Sequence, residues 1–173
     1  MKILTVSYSF TGNNEALAKS VAKELAAEHL IVTEPKTRTM GGIVLDMLFN
    51  RTPKVQSLPN KWGDYDLILF FAPIWMGQVA SPIRAYLKEL RVNSGRYAFA
   101  SISGGADGGN PKLMSELNKR TGREPIALID LPITSLLPQD QQAARKDTSA
   151  YRIDEKDIKK LTDTILQALK DKI

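Results

Sequence analysis

Short apolar runs alternate with amphipathic stretches from one end of this chain to the other, and that alternation leaves few folds open to it. Lys2 to Ser7, Leu30 to Val32, Leu67 to Ala72, Arg96 to Ser103 and Pro125 to Leu131 read as five strands. From Asn13 to Glu28, Leu17, Val21 and Leu25 recur every fourth residue, with Ala18 and Ala22 beside them, giving one apolar helix face. Ser81-Pro82 opens a second helix in which Ile83, Leu87 and Leu90 share a face, since proline suits a first turn. Asn110-Pro111 reads as the cap and first-turn proline of a third, with Leu113 and Leu117 inward. Asp154 caps a last helix whose buried stripe is Ile158, Leu161, Ile165 and Leu169. Two stretches are less regular. Thr37 to Pro59 is mixed, with Gly41-Gly42 loosening it ahead of a short helix over Ile43 to Phe49, and Pro132 to Tyr151 has no clear period and reads as a long excursion.

Strands separated by helices imply an α/β fold, a parallel sheet covered on both faces. The nearly continuous apolar run Leu67 to Ala72 suits such two-sided burial. At 173 residues, with no internal repeat or linker, the expectation is a single domain over 1–173. Right-handed crossovers leave few arrangements. The one expected is a doubly wound three-layer sandwich with a five-stranded parallel sheet in the order 2-1-3-4-5. Ligands of such sheets bind beyond the C-terminal strand ends, where the strand order reverses. Three loops rich in glycine, hydroxyl and amide residues lie at such ends: Ser7–Asn14, Pro73–Gln78 and Ser103–Asn110. They follow the first, third and fourth strands, neighbours in this order, so all three converge on one crevice. The first runs from strand to helix start. Exposed backbone N–H groups and the positive helix end, equivalent to roughly half a charge, make a seat for an anion such as phosphate. Ser9, Thr11, Asn13 and Asn14 can add side-chain hydrogen bonds.

Composition removes several alternatives. The chain has no cysteine, which excludes disulfides, thiolate catalysis and cysteine metal sites. No metal-ligating cluster stands out, and no catalytic acid or base is assigned. No segment approaches about 18 consecutive apolar residues, so no membrane span is expected. The N-terminus passes directly into a strand-like run without a signal-peptide pattern, and cytoplasm is the expected location. The net charge of +5 invites a nucleic-acid reading, but Lys and Arg are scattered and often alternate with Asp and Glu. Lys156, Lys159 and Lys160 beside Glu155, Asp157 and Asp163 read as a solvated helix face, so nucleic acid is not the expected partner.

At the three loops the sequence resembles the flavodoxin family. Ser9-Phe10-Thr11-Gly12-Asn13-Asn14 is similar to its phosphate-binding signature, in which hydroxyl and amide residues surround Thr-Gly-Asn. Ala72-Pro73-Ile74-Trp75-Met76-Gly77 resembles the second loop, commonly proline, an aliphatic residue, tryptophan, any residue, glycine. Ser103-Gly104-Gly105, with Gly108 further on, occupies the third. The resemblance implies a flavodoxin-like fold and noncovalently bound FMN. Its phosphate would sit at Ser9 to Asn14, and its isoalloxazine between the Trp75 and Ser103 loops, with Met76-Gly77 next to the redox centre. In such proteins the cofactor carries the chemistry while the protein tunes it.

The chain departs from the family's electron carriers. Asn14 stands where a hydroxyl residue is usual, the third loop has no aromatic residue to cover the second flavin face, and the charge is positive rather than acidic. These departures point towards the oxidoreductase-like branch, with a nicotinamide donor and a quinone or other small acceptor. The alternatives are a carrier docking on a redox protein partner and a flavin-free binding module of the same fold. Oligomeric state is not legible.

Several residues carry two readings. Thr11 and Gly12 also suit a helix cap and a tight turn. Trp75 also suits a core or interface position. The glycines of the third loop also suit plain flexibility. Asp107 reads as a ligand contact or a turn residue, and Met40, Met47 and Phe49 as core or as cover for the flavin edge. His29, the only histidine, is expected at the end of the first helix in a surface or capping role.

Overall fold

The computed structural model describes residues 1–34, 39–58, 61–93, 95–138 and 144–173, with the backbone alone at Met40. Pro35, Thr37 and Pro59, and residues 139–143 of the excursion, lie outside the described residues. In chain order the elements are β1 (Ile3–Ser7), α1 (Asn13–Glu24), β2 (Glu28–Ile31), α2 (Met40–Leu48) and β3 (Leu67–Phe71). There follow β4 (Ile74–Trp75), β5 (Gln78–Val79), α3 (Arg84–Val92), β6 (Arg96–Ser103) and α4 (Leu113–Thr121). The chain continues through β7 (Leu128–Pro132), α5 (Arg145–Ala150) and α6 (Glu155–Leu169).

Five strands form one parallel sheet in the order β2-β1-β3-β6-β7. Apart from the two short strands that interrupt the numbering, this is the expected 2-1-3-4-5. β3 is buried along its whole length, and its alternate side chains feed two separate cores. Ile68 and Phe70 join Leu4, Val6 and Phe99 under Leu87 and Leu90 of α3 and Leu113 and Leu117 of α4. Leu67, Leu69 and Phe71 join Ile3 and Ala100 under Leu17 and Val21 of α1 and Leu161, Ile165 and Leu169 of α6. Among the described residues, no helix is long and apolar enough to cross a membrane.

Local differences from the sequence reading have local causes. α1 stops at Glu24 rather than Glu28, because Ala26 turns into the left-handed region at φ 48° and the Ala27 N–H reaches back to the Ala22 carbonyl, 2.8 Å away. His29 is therefore a strand residue of β2, not the end of a helix. α2 begins earlier than Ile43. Gly41 and Gly42 sit inside its first turn, where the Thr39 hydroxyl accepts the Gly42 N–H at 3.2 Å. Asp154 caps α6 as expected, its Oδ1 accepting from the Asp157 N–H at 2.8 Å, although Ile158 is only half buried. α4 starts at Leu113, so Asn110-Pro111 lies ahead of it and does not cap it. The excursion contains a short 3-10 turn at Ile133–Ser135 and the helix α5.

Candidate functional site

The first loop leaves β1 at Ser7 and enters α1 through Gly12, whose φ of 90° belongs to the left-handed region that glycine adopts without penalty. Gly12 brings no side-chain cap to α1, and Ser9 Oγ accepts the N–H of Asn14 at 3.2 Å. Asn13 and Asn14, expected to hydrogen-bond a phosphate, turn their side chains inward and are 3% and 2% exposed. The reason lies in the sheet. β6 outruns β3, whose last pairing is Phe71 with Ala100, so the next β3-facing peptide groups of β6 lack a strand partner. The Asn14 amide supplies one: Oδ1 accepts the Ile102 N–H at 2.8 Å and Nδ2 donates to the Ile102 carbonyl at 3.2 Å. Asn13 does the same for the segment after α5, donating to the Tyr151 carbonyl at 3.0 Å and accepting from the Ile153 N–H at 3.3 Å. Both side chains are thus committed to the fold. What this loop offers an anion is the Thr11 and Ser9 hydroxyls, its backbone N–H groups and the positive end of α1.

The second loop is a small hairpin rather than an irregular loop. β4 and β5 pair antiparallel, Ile74 with Val79 and Trp75 with Gln78. Met76 and Gly77 form the turn with φ of 51° and 74°. Positive φ at both turn residues matches the twist of a two-residue hairpin, and it projects Met76 outward, 67% exposed. Pro73 closes the base, its carbonyl accepting from the Ala80 N–H. Trp75 is half buried and meets Tyr8 and Phe10 edge-on, with ring centroids 5.8 and 6.3 Å apart. The indole therefore ties the second loop to the first.

The third loop follows β6. Ser103 is buried and its Oγ has no hydrogen-bond partner among the described residues. A Cβ on Gly105 would lie 2.6 Å from Thr134 Oγ1 and 2.7 Å from Pro132 Cβ, at a φ of 78°. One on Gly104 would meet Thr148 Oγ1 at 3.2 Å. Gly105 is thus required by the approach of the segment at β7's end, while Gly104 sits in tight contact with α5. Gly108, at φ 91°, has open space around it and closes a turn onto the Gly105 carbonyl. Asp107 accepts from Arg145 Nε, both oxygens at 2.9 Å, in an exposed pair of small energetic weight. Beneath the loop, Asn110 Nδ2 donates to Asp130 Oδ2 at 2.7 Å.

Hairpin and third loop face each other across a cleft of about 450 Å3, within the usual range for a ligand site. Of the residues singled out from the sequence, Ile74, Met76, Gly77, Ser103, Gly104, Gly105, Asp107 and Gly108 line it. Ser9 to Asn14, Pro73 and Trp75 do not line it; the first loop stands beside it, joined through the Trp75–Phe10 contact. Sequence reasoning missed Lys112, Arg145 and Thr148, which complete the wall. Only the unexplained length of the 132–151 segment hinted at the last two. His29 lies elsewhere, its Nε2 2.8 Å from Ser7 Oγ between β2 and β1, and burial lowers its pKa.

No protein-family model matches the chain. Solved structures do resemble it. A flavoprotein from Lactobacillus acidophilus, crystallised in complex with FMN, is 24% identical with a TM-score of 0.65, over 78% of this chain and 95% of that one. A candidate flavoprotein from Bacteroides eggerthii is 17% identical with a TM-score of 0.65, over 95% and 97%. Oxidised flavodoxin 1 from Bacillus cereus is 12% identical with a TM-score of 0.52, over 98% of each chain. With the sheet order and the three loop positions, these likenesses establish that the chain has the flavodoxin-like fold.

Proposed function

We propose that this protein binds FMN and works in electron or hydride transfer, with a nicotinamide as donor and a quinone or other small molecule as acceptor. The observation that carries the reading is the cleft between the Met76–Gly77 turn and the Ser103–Gly108 loop, whose lining includes Ser103, a buried residue with no hydrogen-bond partner for its Oγ among the described residues. A buried hydroxyl without a partner is costly, and the polar edge of a flat ring would satisfy it.

The residues present suit the cofactor. The backbone N–H groups and hydroxyls of the Ser9–Asn14 loop would hold its phosphate at the positive end of α1. Ile74, Met76 and Gly77 would border the ring on one side and Ser103, Gly104, Gly105 and Gly108 on the other. Bound there, FMN would supply two-electron chemistry, accepting a hydride from a dihydronicotinamide and returning two electrons to the acceptor. The chain's own part is to orient the ring, keep water from one face and leave the other reachable. No aromatic residue closes the third loop, which leaves room for a nicotinamide to stack.

Two measurements test this. FMN added to the purified protein should lose its fluorescence. Thr11→Ala should weaken FMN about ten- to a hundredfold while leaving riboflavin almost unchanged, since a hydrogen bond to a charged group contributes about 1.5–3 kcal/mol. An equal loss for both ligands rejects the phosphate placement. Anaerobic mixing of the loaded protein with NADH and NADPH should bleach the flavin band; no bleaching with either removes the reductase part of the reading.

A further inference from the structure

Beyond the Met76–Gly77 turn, on the side away from the third loop, lies a second and larger cleft of about 870 Å3 between the hairpin, α3 and α4. It shares Met76, Gly77 and Lys112 with the first, so the two adjoin along that lip. Its charge is one-sided. Among the described residues, Arg84, Lys88, Arg91, Lys112, Lys119 and Arg120 line it against a single carboxylate, Glu116. That excess of five cations equals the net charge of the whole chain, so the remaining cations and carboxylates balance. The basicity that looks scattered along the sequence is thus gathered in one groove.

The groove has a built floor and an open rim. Arg84 is 1% exposed and spreads its guanidinium over the Val79 carbonyl, Gln78 Oε1 and Asn50 Oδ1 at 3.0, 3.0 and 3.2 Å. Asn50 Oδ1 also accepts from Arg120 at 3.0 Å, and Arg120 neutralises Glu116 at 2.5 Å. Lys88, Lys112 and Lys119 have no ion pair or side-chain hydrogen bond among the described residues. Like charges gathered along one groove repel, and an anion of more than one charge relieves the repulsion.

We propose that this groove holds the adenosine end of a nicotinamide dinucleotide carrying a 2′-phosphate, with the nicotinamide reaching the flavin cleft past Met76 and Gly77. The inference rests on the flavin reading given above and adds which nicotinamide is used. The 2′-phosphate contributes about −1.5 to −2 charge, and Lys88, Arg91 and Lys119 are placed to meet it from facing helices. A concave groove of this volume suits a small polyanion, and its continuity with the first cleft suits a ligand spanning both.

The test is calorimetric titration of the FMN-loaded protein with adenosine 2′,5′-bisphosphate and with 5′-AMP, at low and high ionic strength. The bisphosphate should bind about tenfold or more tightly than 5′-AMP, as expected for charge-assisted contacts, and its advantage should shrink with salt. The double variant Lys88→Gln with Lys119→Gln, both exposed positions, should lose that advantage while still binding FMN. Equal affinity for the two nucleotides overturns the proposal, as does an advantage that survives the double variant. A polyglutamate peptide that competes with the bisphosphate at equal strength also overturns it, in favour of an acidic protein surface. The titration reads the groove without flavin reduction. Bisphosphate preference in a protein that fails to bind FMN would sink the flavin reading alone, and FMN binding without the preference would sink this one alone.

Discussion

Asn14 shows how a side chain that the sequence offers as a ligand contact can be taken up by the fold instead. Its amide imitates a strand edge, pairing with both backbone groups of Ile102 inside the protein. Asn14→Ala leaves a buried N–H and carbonyl unmet, and should lower unfolding stability by about 2–3 kcal/mol. The urea midpoint would fall accordingly, and a change of less than about 0.5 kcal/mol, the scatter of ordinary surface substitutions, would show that the pairing carries no weight. Thr11→Ala, at a half-buried position in the same loop, serves as the contrast and should hardly move the midpoint. Glycine likewise has different reasons at different positions. Gly12 needs only its backbone angle, since nothing lies within 4 Å of an added Cβ. Gly105 also needs the absence of a side chain, because Pro132 and Thr134 occupy that space.

Between elements, the β1–β2 pairing carries a titratable link. His29 Nε2 lies 2.8 Å from Ser7 Oγ, and burial holds its pKa below the ordinary 6.5, with Glu15 opposing and Lys19 adding to the shift. The neutral ring is the folded form. As pH falls through 6.5 the unfolded chain takes up a proton that the folded chain resists, so this contribution is present above that pH and declines below it. His29→Gln keeps a polar partner for Ser7 and cannot titrate. Its urea midpoint should fall less than the parent's between about pH 7.5 and about pH 5.5, one unit either side of the ordinary value. Parallel decline in the two proteins would remove His29 as the source. The hairpin has a different character: Met76, a bulky residue at φ 51°, sits where side chains rarely go. Strain of this kind persists where surrounding contacts over-determine the backbone, here the β4–β5 pairing and the Arg84 guanidinium beneath Gln78.

At the scale of the molecule, the sheet order makes the site. β1, β3 and β6 are neighbours, so loops that are some 60 and 90 residues from the first are delivered to the same edge. α5 then packs over the third loop through Arg145 and Thr148, which gives the irregular 132–151 stretch a place in the cleft wall. A ligand that binds only the folded form stabilises it by mass action. FMN at about a hundred times its dissociation constant should add about 2.7 kcal/mol, a rise of about 5–10 °C in the thermal midpoint for a chain of this length. Riboflavin at the same concentration should give a smaller rise. No shift with saturating FMN would reject binding by the folded protein.

The strand order was legible only through the topology rules for parallel sheets and the family resemblance. The alternation of apolar runs and helical periods was enough to read the five strands and the loops at their C-terminal ends, because those signals are set by residues close together in the chain. The Asp154 cap and the turn glycine Gly12 were legible for the same reason. The inward turn of Asn13 and Asn14 was not, since it depends on β6 outrunning β3 and on partners 88 and about 140 residues away. His29 escaped because one left-handed alanine ended α1 a turn early. The basic groove escaped because α3 and α4 become neighbours only through the pairing of β3 with β6 and β6 with β7. Local chemistry thus determined which elements and which loop residues exist. Packing alone decided which way their polar groups point, and where six cations from separate segments come together.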